Sequence, residues 1–289
     1  MTIRTILASV SGGETDGATL ATAFAVAERH AAHVDVLFAR PAPAETIPMV
    51  GEGVSSAVVE QLLVSAGSEW AKRELTARNG FDAAVAATGL VLHDAPPGPG
   101  AASASWRSEA GREDRVVRRA CPTCDLLVMA NRAGRDDNLQ FVLTLEAALL
   151  TGGRPLLLIP DGSPRRAFPS VAIAWDNSGL AAHAVAGAMP LLRDAAAVSV
   201  LSAATPRTDP ARAAELAGYL AWHGIAAAVD RIDPGHGKVG PALLARAGEL
   251  GADLLVMGGY GHSRVREFIL GGVTRHVLTH TAIPVLIAH

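Results

Sequence analysis

The 289-residue sequence holds only two lysines, Lys72 and Lys238, and only two cysteines, Cys121 and Cys124. Two thiols cannot form the framework of bridges that staples a small secreted domain, so a packed core has to hold this chain together. Hydrophobic residues make up 49% of the sequence and charged residues 18%, which describes a folded globular chain. Basic and acidic residues nearly balance, 25 against 28 with a net charge of -3, so no basic excess exists to draw in nucleic acid or anionic lipid. No apolar run reaches the roughly 18–20 residues needed to span a bilayer. The first ten residues lack the long apolar region of a secretory signal, and Thr5-Ile-Leu-Ala-Ser-Val10 reads as a buried first strand. The expectation is a cytoplasmic globular protein with no membrane or nucleic-acid partner, long enough for two ordinary domains.

Internal similarity supports two domains. Asp125-Leu-Leu-Val-Met129 recurs identically as Asp253-Leu-Leu-Val-Met257, and each copy is followed by a short run opened by proline, Pro155–Ile159 and Pro284–Ile287. Upstream, Thr5–Val10 matches Ser170–Trp175, and His33-Val-Asp-Val-Leu-Phe-Ala39 matches Ala197-Val-Ser-Val-Leu-Ser-Ala203. Matches in one order over this length mark a duplication. Pro160–Pro169 carries three prolines, a glycine and adjacent arginines, as a linker does, so the expected domains are 1–160 and 169–289.

Within each half, short apolar runs alternate with helix-length segments, the pattern of parallel strands joined by right-handed crossovers. In the second half strands are expected at 170–176, 197–203, 226–232, 253–258 and 284–288, with helices at 179–194, 209–223, 238–251 and 273–281. Strands such as Leu254–Met257 are continuously apolar, as they are when helices cover both faces of a sheet. The first half adds a helical stretch from 55 to about 79. An irregular loop, Asp94–Ser103, follows ahead of a strand around Ser105 and Trp106. The short proline-opened strands would leave exposed sheet edges, so they are expected to pair with each other.

The informative segment runs from Gly258 to Thr274. It leaves the carboxyl end of an apolar strand, where open parallel sheets bind ligands, and ends at a helix start. Gly258 and Gly261 would let a ligand approach the backbone. Gly271 and Gly272 open a helix whose free N–H groups suit a phosphate, with Val273 next in line and His262, Arg264 and Arg266 as cationic neighbours. A dinucleotide fingerprint fails because Arg264 stands where a third glycine is needed. Gly235-His-Gly-Lys238 lacks the first glycine and the Ser or Thr of a P-loop, and reads as a turn.

What fits is glycine, two residues, glycine, nine residues, glycine and a small residue. On these residues the chain resembles the universal stress protein family, over essentially its whole length as two tandem modules. The resemblance implies an α/β fold of two five-stranded, parallel, Rossmann-like modules related by a pseudo-two-fold axis. It further implies an adenine nucleotide, ATP or ADP, as cofactor, with no metal beyond magnesium carried by that nucleotide. It would place Gly258, Gly261 and Gly271 at the phosphates and ribose, Asp176 on the adenine side and Ala203 in the adenine pocket. One departure stands out: Gly272 occupies the place where nucleotide-binding members usually carry Ser or Thr. The lost hydroxyl is a contact of about 0.5–1.5 kcal/mol.

In the first half the corresponding positions are Ala130, Ala133 and Leu143, with Ser11 opposite Asp176, so this copy is expected not to bind. Cys121-Pro-Thr-Cys124 ends a helix, the wrong end for stabilising a thiolate, and reads as a pair of partly buried thiols. His276 and His280 lack further ligands for a metal and read as a helical face. Trp175, beside Asp176, fits either base stacking or core packing.

No catalytic constellation stands out, and the loop offers Glu267 as its only carboxylate, so ATP hydrolysis would be slow at most. The expected function is nucleotide binding in stress response or signalling. The alternatives are an interaction protein that has lost the nucleotide and an adenylating or hydrolysing enzyme. A protein partner is expected but not identifiable from sequence, and a homodimer beyond the internal pairing stays open.

Overall fold

The computed structural model describes residues 2–42, 45, 55–95, 100–134, 139–162, 167–204, 212–234, 238–259 and 272–289. In chain order the first half carries β1 (Thr5–Val10), α1 (Asp16–His30), β2 (His33–Arg40), α2 (Ser56–Thr88), β3 (Val91–Leu92), β4 (Ser103–Ala110), α3 (Glu113–Ala120), β5 (Leu126–Ala130), α4 (Leu139–Glu146) and β6 (Leu156–Ile159). The second carries β7 (Ser170–Ala174), α5 (Gly179–Asp194), β8 (Ala197–Ala203), α6 (Arg212–Trp222), β9 (Ala227–Ile232), α7 (Val239–Glu249), β10 (Leu254–Gly258), α8 (Gly272–His280) and β11 (Val285–Ala288).

These strands form one sheet in the order β3-β4-β2-β1-β5-β6-β11-β10-β7-β8-β9. Every neighbouring pair is parallel except the central one, where Val285, Leu286 and Ile287 lie antiparallel to Leu158, Leu157 and Leu156. Read outward from that seam, β6-β5-β1-β2-β4 and β11-β10-β7-β8-β9 repeat one succession, which is the expected pseudo-two-fold. The first half is not five-stranded as expected: β3 adds a sixth, two-residue strand beside β4. Its helix also runs past 79 to Thr88. Residues 80–88 contain no proline and several alanines, and only Gly89, at φ 69°, ends the helix in the left-handed conformation.

Alternation along the strands sends side chains to two cores. Ile6, Ala8, Val34, Val171, Ile173 and Val256 pack under α1, α2, α5 and α6. Leu7, Leu37, Leu127, Ala172 and Leu255 pack under α3, α4, α7 and α8. The repeated aspartate has a structural task. Asp125 accepts hydrogen bonds from the backbone N–H groups of Arg4 (2.8 Å) and Thr5 (3.0 Å), and Asp253 accepts one from Ser170 (3.1 Å). Each carboxylate therefore ties the start of one strand to its neighbour, at the same place in both halves.

The seam between halves is closed to solvent. Leu156–Ile159 and Val285–Ile287 are fully buried. Asn131 donates to the Leu278 carbonyl across the seam at 2.8 Å. Gly187 on α5 lies so close to Pro155 that a Cβ there would meet the ring at 2.8 Å. At the periphery Asp194 faces both Arg29 and His30, each at 3.3 Å.

Two predictions follow from this packing. Leu286→Ala should cost about 2–5 kcal/mol, measured by urea denaturation, because it empties a closed site at the seam. A loss below about 0.5 kcal/mol would mean the seam is not the packed core described. Burial also holds the His30 and His33 imidazoles below their ordinary pKa, against the pull of Asp194 and Asp35 respectively. The unfolded chain then takes up these protons first as pH falls, so their stabilisation is complete above about pH 6.5 and drains away below it. The urea midpoint should be lower at about pH 5.5 than at about pH 7.5, and an unchanged midpoint would refute this account.

Candidate functional site

In the second half the chain passes from β7 outward to β8 and β9, then returns to β10 on the other side of β7. This reversal makes a topological switch point at the carboxyl ends of β7 and β10, where open parallel sheets seat ligands. Ala174 pairs with Met257 on one side and Leu201 on the other. Continued by one residue, this register sets Gly258 level with Trp175, and by two it sets Asp176 level with Ala203. Three of the expected site residues therefore meet at one edge. Gly272 and Val273 begin α8 as expected. Gly261, His262 and Gly271, with Arg264, Arg266 and Glu267, lie outside the described residues.

Local hydrogen bonding shapes this edge. Asp176 is exposed, and its Oδ1 accepts from the Ser178 N–H at 2.9 Å. Asn177 bridges the turn at φ 61°. Ser178 then caps α5, accepting from the Ala181 N–H at 3.1 Å. The sequence analysis did not single out Ser178, although a serine directly ahead of a helical run is a start signal. Trp175 packs against the core on the α5 side, which favours the core-filling alternative for its ring. Among the described residues its buried indole N–H, a donor next to the candidate site, meets no acceptor.

The glycines divide by what surrounds them. A Cβ at Gly258 would sit 2.6 Å from the Ala181 nitrogen and 2.7 Å from the Leu180 carbonyl carbon. The helix start of α5 thus occupies the space that the sequence reading reserved for a ligand. At Gly259 a Cβ would strike Ile287 at 2.3 Å. Gly272 has nothing within 4 Å and is exposed, so its side-chain direction is open.

Residues 168–289 match the family model described as Universal stress protein family. Over that stretch, the second half of the chain, the sequence is similar to the family. A universal stress protein of Archaeoglobus fulgidus superposes with a TM-score of 0.67 at 15% identity, covering 98% of this chain and 97% of that one. A Pseudomonas aeruginosa protein assigned to the same family superposes at 0.57 with 18% identity, over 99% and 93% of the two chains. The universal stress protein fold therefore extends over both halves. A Synechocystis universal stress protein is 56% identical over 34 residues, and the chain spans only 12% of that relative's length.

In the first half the matching edge is filled by its own side chains. Asp16, 6% exposed, accepts from the Ser11 N–H at 3.0 Å and the Gly12 N–H at 2.7 Å, taking up loop donors that an anion would need. Burial raises its pKa even against those hydrogen bonds. Glu113 binds Arg132 at 2.6 Å and accepts from Ser9, while the Arg132 guanidinium lies over Phe141. α2 covers the loop so closely that a Cβ at Gly12 would meet the Arg73 carbonyl oxygen at 2.4 Å.

The weaker sequence signals resolve as structure. Cys121 and Cys124 are free thiols buried at the end of α3, and the hydrogen bond with Cys121 together with burial pushes the Cys124 thiol far up. The His276 and His280 rings stack at 4.1 Å. Burial, the neighbouring His280 and Lys238 lower the His276 pKa. Among the described residues no three His, Cys, Asp or Glu side chains converge on a metal position.

Gly258→Ala should destabilise the protein by about 1–3 kcal/mol, because its new methyl group meets backbone that cannot swing away. Gly272→Ser should stay within about 0.5 kcal/mol of the parent. Urea midpoints measured side by side test the contrast, and equal midpoints would contradict it.

Proposed function

We propose that the second half binds one adenine nucleotide, ATP or ADP, at the carboxyl ends of β7 and β10, and that the protein acts as a nucleotide-dependent module in stress response or signalling. The carrying observation is the meeting of Asp176, Ala203 and Gly258 at the topological switch of a universal stress protein domain, with the glycine-spaced segment joining β10 to α8. Asp176 keeps Oδ2 available while Oδ1 holds the turn, which suits a ribose or adenine donor. The open direction at Gly272 leaves room at a helix start for phosphate. Magnesium would arrive with the nucleotide.

In this reading the domains are 1–160 and 169–289, the first being a copy closed by Asp16 and the Glu113–Arg132 pair. No step of catalysis is assigned, because neither the edge residues nor the loop sequence supplies a base poised for water. The setting is the cytoplasm, and the output passes to a protein partner or a second copy of the chain.

A second reading, an interaction protein without nucleotide, draws on the packing at Gly258 and Gly259, which accounts for both glycines without a ligand.

Isothermal titration of the full chain with ATP and with ADP separates the two. One site per chain is expected. Two sites would overturn the closed first half, and none would establish the interaction protein. Gly261→Val should abolish binding with the fold retained by circular dichroism. Gly272→Ser should tighten binding by up to about tenfold through the restored hydroxyl.

A further inference from the structure

A cavity of about 690 Å³ lies nowhere near the carboxyl edge of β7 and β10. It opens at the amino ends of β1, β2 and β4 in the first half, on the sheet face that α3 only partly covers. Its volume falls in the range of sites for small ligands. Leu7 and the turn holding Thr123 and Cys124 give it apolar and hydroxyl walls.

The strand side chains that face it are polar and ordered. His33 is clamped between two hydroxyls, Nδ1 at 2.8 Å from Ser103 Oγ and Nε2 at 3.0 Å from Ser105 Oγ. A neutral imidazole donates from one ring nitrogen and accepts at the other. One serine therefore keeps its proton to donate and the other keeps lone pairs to accept. Asp35 binds Arg107 at 2.8 Å through Oδ2, and among the described residues no hydrogen bond engages its Oδ1. Ser103 is fully buried, so the cavity presents the Ser105 hydroxyl, oriented by His33, beside the Asp35 carboxylate.

The duplication supplies an internal control. His33 and Asp35 correspond to Ala197 and Ser199 in the repeat. By the same strand registers, Ser105 and Arg107 correspond to Ala228 and Asp230. The second half builds the same strands without the imidazole or the serine, so the fold does not require this polar set.

Charge selects the ligand. Arg107 is held by Asp35 and Glu109, and the Arg4 guanidinium donates to the carbonyls of His30 and Ala31. Arg4 and Arg107 are matched in number by Asp35 and Asp94 among the lining residues, so the lining carries no net charge. Paired donors and acceptors with no net charge match hydroxyl groups, each of which both donates and accepts.

We propose that this cavity is a second binding site, for a small neutral polyhydroxyl compound of about monosaccharide size, held by Ser105 and Asp35, with His33 and Ser103 orienting the Ser105 hydroxyl. It is independent of the nucleotide reading.

Saturation-transfer NMR on the full chain, with D-glucose, D-ribose and myo-inositol as probes, tests the site. At least one probe should bind saturably in the millimolar range. Ser105→Ala and Asp35→Ser, which install the residues the second half carries, should each weaken it by about tenfold while circular dichroism stays that of the parent. ATP titration of the same variants should match the parent. Absence of saturable binding for all three probes would overturn the proposal. So would affinity unchanged by both variants, or displacement of the probe by inorganic phosphate.

Discussion

Strands β6 and β11 are four residues each, and every residue in them is buried. A buried backbone N–H or C=O without a partner costs about 1–3 kcal/mol, so neither strand could end a sheet beneath covering helices. Their antiparallel ladder satisfies both at once and turns two modest sheets into one of eleven strands. The other seam contacts, from Asn131 reaching the Leu278 carbonyl to Gly187 lying against Pro155, follow from that pairing. So does the direction of the two halves. Antiparallel pairing at the centre sends their carboxyl edges to opposite sides of the sheet, so the two edges never form one shared site.

The halves diverged at those edges while the scaffold between them held. Asp125 and Asp253 still bridge the same strands, and the Leu-Leu-Val-Met runs still feed both cores. At the edges the chemistry parts. The first half spends its loop N–H groups on Asp16 and fills the crevice with an arginine–glutamate pair under a long helix. The second leaves Asp176 exposed and the start of α8 open. At the amino edge the relation inverts, since there the first half carries the polar cluster and the second carries alanines.

Much of this was legible beforehand for a definable reason. Continuous apolar runs and proline-opened strands reflect burial on both faces, and burial is a property that residue type reports directly. The second-half elements accordingly fall within a few residues of their expected positions. Features set by neighbours distant in sequence were not legible. Residues 80–88 carry no signal beyond helix propensity, and the two-residue β3 exists because β4 offers it a free edge. Gly258 was read as clearance for a ligand, but a glycine in sequence reports only that something comes close. Here the start of α5 does so.

From the sequence alone came the duplication, the alternation of strand and helix, the family resemblance and the inequality of the two halves, because repeats and periodicity are local records. The tertiary structure decided which side chains occupy the space that local patterns leave open. Asp16 and Arg132 close one crevice, α5 fills the space before Gly258, and His33 stands between two serines on separate strand positions. Each of these contacts joins residues that are far apart in the chain, or in a geometry no spacing encodes, so only the packed sheet brings them together.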